Sequence, residues 1–170
     1  MPNRMDKFVA RGMGEVMGAR ARLNGLVGVF KTLAAQHGEA SALLARLENA
    51  PDRRADLWPT VKQALQAHEK GELRAVYPEL RAYPELREMA DRHEAEADQL
   101  DELIARVDAT DLASGNFDSA LDALVKTIKA HVDEEEKQIF PTAQRVIGVS
   151  AAKALEPKFM AAHDRVKHVG

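Results

Sequence analysis

His68–Pro78 reads HEKGELRAVYP, and His131–Pro141 reads HVDEEEKQIFP. Both have the form His-x3-Glu-x3-(Val or Ile)-aromatic-Pro. Residues four apart on an α-helix lie about 40° from each other around the axis and about 6 Å along it. Each copy therefore sets an imidazole beside a carboxylate on one helical face: His68 with Glu72, and His131 with Glu135. Two such pairs meeting inside one fold make a metal site.

Working outward from the two motifs, the chain reads as helices with short breaks and almost no strand signal. A first core helix is expected from about Arg20 to Leu47, stopping before the Asn49-Ala50-Pro51-Asp52 turn. A second runs from about Arg54 to Tyr77, with Pro78 ending it. A third starts near Pro84, a residue suited to the first helical position, and reaches about Val107. The fourth starts near Phe117 and ends around Gly148, bent or frayed at Pro141. Ser150 caps a short fifth helix over Ala151–His168, interrupted by Pro157.

The core faces follow from the alternating three and four spacing. The first helix contributes Leu26, Phe30, Leu33, His37, Ala40, Leu44 and Leu47. The second offers Leu57, Val61, Leu65, His68, Glu72 and Ala75. Leu86, Ala90, His93, Ala97, Leu100, Ile104 and Val107 mark the third, and Leu121, Leu124, Ile128, His131, Glu135 and Gln138 the fourth. Every helix carries one histidine near its middle, and the two motif helices add a glutamate one turn later. In an all-α, up-down-up-down four-helix bundle these six side chains fall in one layer. The expected division is an N-terminal amphipathic extension (1–19), the bundle (20–148) and a C-terminal helical segment (149–170).

Composition narrows the chemistry. The 170 residues are 45% hydrophobic and 30% charged, with a formal charge of −3. That balance fits one soluble domain and gives no field suited to nucleic acid or an anionic membrane. There is no cysteine, so disulfides, thiolate zinc and iron–sulfur sites are excluded, and any metal must sit on nitrogen and oxygen donors. No apolar run is long enough to span a bilayer and no leader pattern is present, which makes the cytoplasm the expected address. Met5, Phe8, Val9, Met13, Val16 and Met17 form an apolar stripe with few basic neighbours, better suited to packing on the bundle or in a homodimer than to a membrane.

Two plainer readings compete. A single His-x3-Glu is a common solvent-face pair, but two copies with matching flanks, both on apolar stripes, are not explained that way. A hydrogen-bonded polar layer without metal must satisfy four imidazoles and two carboxylates away from water, at high cost. His163 and His168 lie outside the repeat and are expected to be exposed. The run Glu134-Glu135-Glu136 is expected to split into one inward residue, Glu135, and two outer ones.

The pattern His37, His68-x3-Glu72, His93, His131-x3-Glu135, with Tyr77-Pro78 and Phe140-Pro141 trailing the two motifs, resembles the hemerythrin-like family and its HHE cation-binding branch. The resemblance covers about residues 20–148. It implies a non-heme di-iron centre with an oxo or hydroxo bridge. His37 and His68 would face one iron, His93 and His131 the other, and Glu72 and Glu135 would bridge them. Oxygen-carrying hemerythrins have a fifth histidine four residues after the third-helix one; here that residue is Ala97. Some HHE members fill the gap with the glutamate after the second-helix histidine, here Glu69. Glu94, Glu96 and Tyr77 are weaker candidates. Ferritin-like di-iron proteins use Glu-x-x-His, the opposite order and a different spacing.

The resemblance implies a protein that meets oxygen, nitric oxide or peroxide at an open iron position, with Ala40, Ser41 and Ala97 leaving room for the ligand. Peroxide decomposition is one activity this would support. The alternative is an iron-binding, regulatory or storage module without turnover. A mononuclear zinc or manganese enzyme would leave costly buried residues unused.

Overall fold

A computed structural model describes residues 25–167. Among the described residues there are five helical rods and no strand. The first rod is α1 (Gly28–Asn49). It starts later than the sequence suggests, because Val27 is extended and donates its N–H to the Gln144 side chain at 2.8 Å. The Gln144 side-chain NH2 in turn donates to the Gly25 carbonyl at 2.7 Å, which pins the incoming chain to the far rod. The apolar N-terminal stripe and His168 lie outside the described residues.

The second rod joins α2 (Arg54–Gly71) to α3 (Tyr77–Arg81) through a π turn, Glu72–Val76. Pro78 therefore does not end it. A proline inside an α-helix lacks the N–H owed to the carbonyl four residues back, and its ring collides with that carbonyl. The wider π turn relieves both, and the Tyr77 N–H bonds to Glu72, five residues back. The third rod is α4 (Arg87–Asp108), led in by a 3-10 turn at Pro84–Leu86. The fourth repeats the second: α5 (Gly115–Glu134), a π turn at Glu135–Ile139, then α6 (Phe140–Ile147). Pro141 thus sits beyond a widened turn rather than a frayed end.

The extra residue in this π turn shifts the register. Gln138, expected inside, is exposed, while Ile139 and Phe140 are buried. Gly148, at φ +85°, closes the rod. The last rod, α7 (Val149–Lys167), starts earlier than Ser150 would have placed it and runs unbroken through Pro157. Pro157 is exposed, so the carbonyl it leaves unbonded can be hydrated.

Two apolar clusters show how the rods alternate. One gathers the start of α1 (Phe30, Leu33), the end of the second rod (Val76, Leu80), the start of α4 (Leu86) and the end of the fourth rod (Phe140). The other gathers the end of α1 (Leu47), the start of α2 (Leu57), the end of α4 (Val107) and the start of α5 (Phe117). Starts pack with ends, so the four rods run up, down, up and down. α7 joins the first cluster through Leu155 and Phe159. Between the two clusters lies a polar layer.

Candidate metal centre

Each rod delivers its histidine to that layer. His37, His93 and His131 are buried, His68 is nearly so, and Glu72 and Glu135 have no exposure at all. All six side chains that the sequence singled out come together. Glu69, on the turn between His68 and Glu72, is also buried and joins them.

The donors fall into two groups, each with atoms within 4.8 Å of one another: His37, His68 and Glu135; and Glu69, Glu72, His93 and His131. The glutamates link the groups. Glu72 Oε2 is 3.4 Å from His68 Nε2 and 3.7 Å from His93 Nε2. Glu135 Oε2 is 3.1 Å from His37 Nε2 and 3.4 Å from His131 Nε2. Glu69 reaches His131 Nε2 at 3.2 Å and His93 Nε2 at 3.6 Å.

Outer groups aim the rings. His37 Nδ1 lies 2.9 Å from Glu136, His68 Nδ1 3.0 Å from Gln36, and His131 Nδ1 3.2 Å from Glu96. With Nδ1 held this way, Nε2 of each ring is turned to the centre, the arrangement that orients and strengthens imidazole ligands. Glu136, expected to be an outer residue, is thus half-buried and engaged. Sequence reasoning missed it and Gln36 in this role; adjacency to Glu135 and to His37 was the available signal. Glu96 holds His131 from outside, and Glu94 is exposed and paired with Arg81. Tyr77 donates its hydroxyl to Glu135 Oε1 at 2.8 Å. The two aromatic residues of the repeat cover opposite histidines: Tyr77 stacks on His93 with centroids 3.5 Å apart, and Phe140 on His37 at 5.7 Å.

The electrostatics are those of a site lacking positive charge. Burial, then the neighbouring carboxylates of Glu135 and Glu69, push Glu72 well above the ordinary range. Burial opposes charge on His131, but Glu135 and Glu69 outweigh it and lift the ring to about 12. His37 is lifted to about 9 in the same way, burial being outweighed by Glu135 and Glu136. Glu135 stays well below the carboxylate range, because His131 and His37 overcome its burial. Burial, then His37, depresses His68, and burial depresses His93. Protons on two imidazoles supply the positive charge that a cation would bring.

They do not satisfy the layer. Glu69 Oε2, both oxygens of Glu72, both ring nitrogens of His93, His131 Nε2 and Glu135 Oε2 are buried without a hydrogen-bond partner. Such atoms cost free energy unless something else binds them. An all-nitrogen and oxygen donor set suits iron, manganese or zinc, so these residues fit a metal centre.

A cavity of about 80 Å³ adjoins the cluster. His37, His68, Glu69 and His131 lie on its wall, with Ala40 and Ala64 giving room, leucine, isoleucine and valine side chains making it largely apolar, and Gln36, Glu39 and Lys167 adding polar groups. Ser41 is exposed and Ala97 is buried away from this wall. His163, expected on the surface, is also buried and lines the cavity from α7.

Residues 29–143 match the family model of the hemerythrin HHE cation binding domain. Over 83 residues the chain is 31% identical to an uncharacterized hemerythrin-like protein of Schizosaccharomyces pombe, covering 48% of this chain and 41% of that protein. The chain thus spans less than half the length of the curated relative it matches. No solved structure matches. The matched segment contains all six motif residues and Glu69, and leaves α7 outside.

Proposed function

Since the chain belongs to the hemerythrin HHE cation-binding family, we propose that it holds two non-heme irons and meets a small ligand there: oxygen, nitric oxide or peroxide. His37 and His68 would hold one ion, His93 and His131 the other. Glu72 and Glu135 would lie between them, with Glu69 completing the second position in place of the absent histidine at Ala97. The observation that carries this reading is the straddling of the two glutamates. Each places one oxygen within 3.7 Å of imidazole nitrogens from two different rods, which is what a bridging carboxylate needs.

When bound, an iron pair supplies electrons and open coordination to a small oxidising ligand. The chain's own residues do the remaining work. Gln36, Glu96 and Glu136 hold three rings in the tautomer that leaves Nε2 for a metal. Tyr77 keeps a proton, because burial and then the carboxylates of Glu135 and Glu72 hold its hydroxyl well above the phenol range. The apolar wall of the cavity limits water and favours a ligand of few atoms.

Metal analysis of protein produced with ample iron tests the reading. About two irons per chain are expected on a six-donor centre of this type; less than about one would overturn it. A near-ultraviolet band of the oxidised protein that shifts with azide or peroxide would support an open position. Iron held without any such response would favour the storage or regulatory alternative.

A further inference from the structure

We propose that His163, supplied by the helix beyond the family domain, is the base that takes the proton from hydrogen peroxide entering the cavity. This rests on the peroxide-reactive reading above. The family match stops at residue 143, whereas α7 packs its buried Phe159 and His163 onto the metal motif itself. Gly71, lying between His68 and Glu72, makes this approach feasible. A Cβ there would stand 2.7 Å from Phe159 Cε2 and 3.3 Å from the His163 Cβ. The motif carries its one residue without a side chain where α7 must come closest.

The imidazole of His163 connects the cavity to solvent. It lines the same cavity as His37, His68, Glu69 and His131, its ring packs on Phe159 at 5.7 Å, and its Nδ1 is held by Asp164 Oδ1 at 3.0 Å. Asp164 is 54% exposed. With Nδ1–H donated to that carboxylate, Nε2 carries the lone pair and is the basic nitrogen of the ring. Burial lowers its proton affinity against the pull of Asp164, and Lys167 lowers it further, so the ring is neutral and ready to accept. Among the other polar groups of the wall, Gln36 cannot take a proton, Lys167 offers donors and no acceptor, and His37, His68, Glu69 and His131 belong to the metal cluster; Glu39 is the one rival acceptor.

Hydrogen peroxide is a weak acid and must lose a proton to become an anion that a cationic centre can hold. The peroxide O–H bond breaks, its electron pair stays on oxygen, and the proton joins the Nε2 lone pair of His163. The hydroperoxide anion remains in the cavity beside the donor cluster. Asp164 at Nδ1 balances the charge of the imidazolium, and release of the Nε2 proton to water resets the base. The cavity is large enough for such a molecule, since a water occupies about 30 Å³ in the liquid.

The test uses the full iron-loaded chain and two ligands. Azide is already an anion at neutral pH and needs no base; peroxide does. In His163→Gln the rate of the optical change on mixing with peroxide should fall about a hundredfold, the lower end of the range for a positioned acid or base. Iron content and azide affinity should not change. In His163→Ala, added imidazole should restore part of the peroxide rate, and Glu39→Gln should match the parent. An unchanged rate in His163→Gln overturns the proposal, as does a parallel loss of azide affinity, which would make the residue structural. A similar loss in Glu39→Gln would transfer the role and also overturn it. If the parent holds iron but never responds to peroxide, the peroxide reading fails first and takes this inference with it.

Discussion

Tyr77 lies flat against His93, their ring centroids 3.5 Å apart and their planes within 6° of parallel. Its hydroxyl continues from that stack to Glu135 Oε1 on the opposite motif rod. One side chain therefore fixes a histidine from the third rod and a glutamate from the fourth. Tyr77→Phe keeps the stack and removes the donor. The buried carboxylate oxygen then loses its partner, costing about 1–3 kcal/mol in the metal-free protein. Iron affinity should weaken about tenfold, because outer groups that orient ligands contribute on that scale. Thermal melting and competition with a chelator measure the two effects; unchanged iron affinity would show that Glu135 is held without the phenol.

Glu136 acts on the other side of the cluster. Its bond to His37 Nδ1 at 2.9 Å sets that ring's tautomer, and the residue is far enough out that its loss leaves the apolar clusters intact. Glu136→Ala should weaken iron binding by about 10- to 100-fold with little change in far-ultraviolet circular dichroism. An affinity equal to the parent's would mean that packing against Phe140 alone aims His37.

Metal and metal-free protein should respond oppositely to one substitution. Both oxygens of Glu72 are buried without partners, and its neighbours Glu135 and Glu69 repel its charge. Replacing such a group with an apolar one of similar size is neutral or favourable. Glu72→Leu should therefore raise metal-free stability by about 1 kcal/mol and abolish most of the stabilisation that iron adds to the parent. Denaturant unfolding with and without iron distinguishes this from a structural role, which would lower both.

Proton binding gives a further sign to check. In the metal-free protein, burial opposes charge on His37, but Glu135 and Glu136 lift it from 6.5 to about 9, with His68 as its other close neighbour. A group whose value is raised by folding contributes stability that is complete below the unfolded value and lost as pH rises through the folded one. His131, lifted to about 12, acts in the same direction. The metal-free melting temperature should fall between pH 6.5 and 9. Iron needs these imidazoles neutral, so its affinity should rise over that range. Melting curves and iron titrations at both pH values measure the two slopes; a metal-free protein that grows more stable toward pH 9 would contradict the assignment.

The six motif residues were legible in the sequence because two independent signals coincide on them, a repeated spacing and an apolar stripe. Position in a stripe also encodes depth, which is why residues from four rods reach one layer. The outer acceptors carry no such period. Gln36, Glu96 and Glu136 are long side chains on rod flanks, and His37 and Glu136 are 99 residues apart. His163 was readable in principle, since Ala152, Leu155, Phe159 and Ala162 are buried at helical spacing beside it. That stripe lies outside the repeat, so no second signal marks its histidine. The π turns were hidden for a different reason. Proline is read locally as a stop, whereas here the rod absorbs it by widening one turn.

That widening makes a test on adjacent residues. With an unbroken α-helix through the fourth rod, Gln138 would continue the inward line from His131 and Glu135, as the sequence pattern implied. The π turn at Glu135–Ile139 spends one additional residue, so Gln138 faces solvent and Ile139 is 3% exposed, packed in the cluster with Phe30 and Phe140. Truncating a buried isoleucine to alanine costs about 2–5 kcal/mol, while a surface change away from such contacts stays within about 0.5 kcal/mol. Ile139→Ala should therefore destabilise the protein strongly and Gln138→Ala hardly at all, as read by denaturant midpoints at constant slope. The reverse ranking would mean that the rod keeps its α register past Glu135, and Phe140 could not then reach His37.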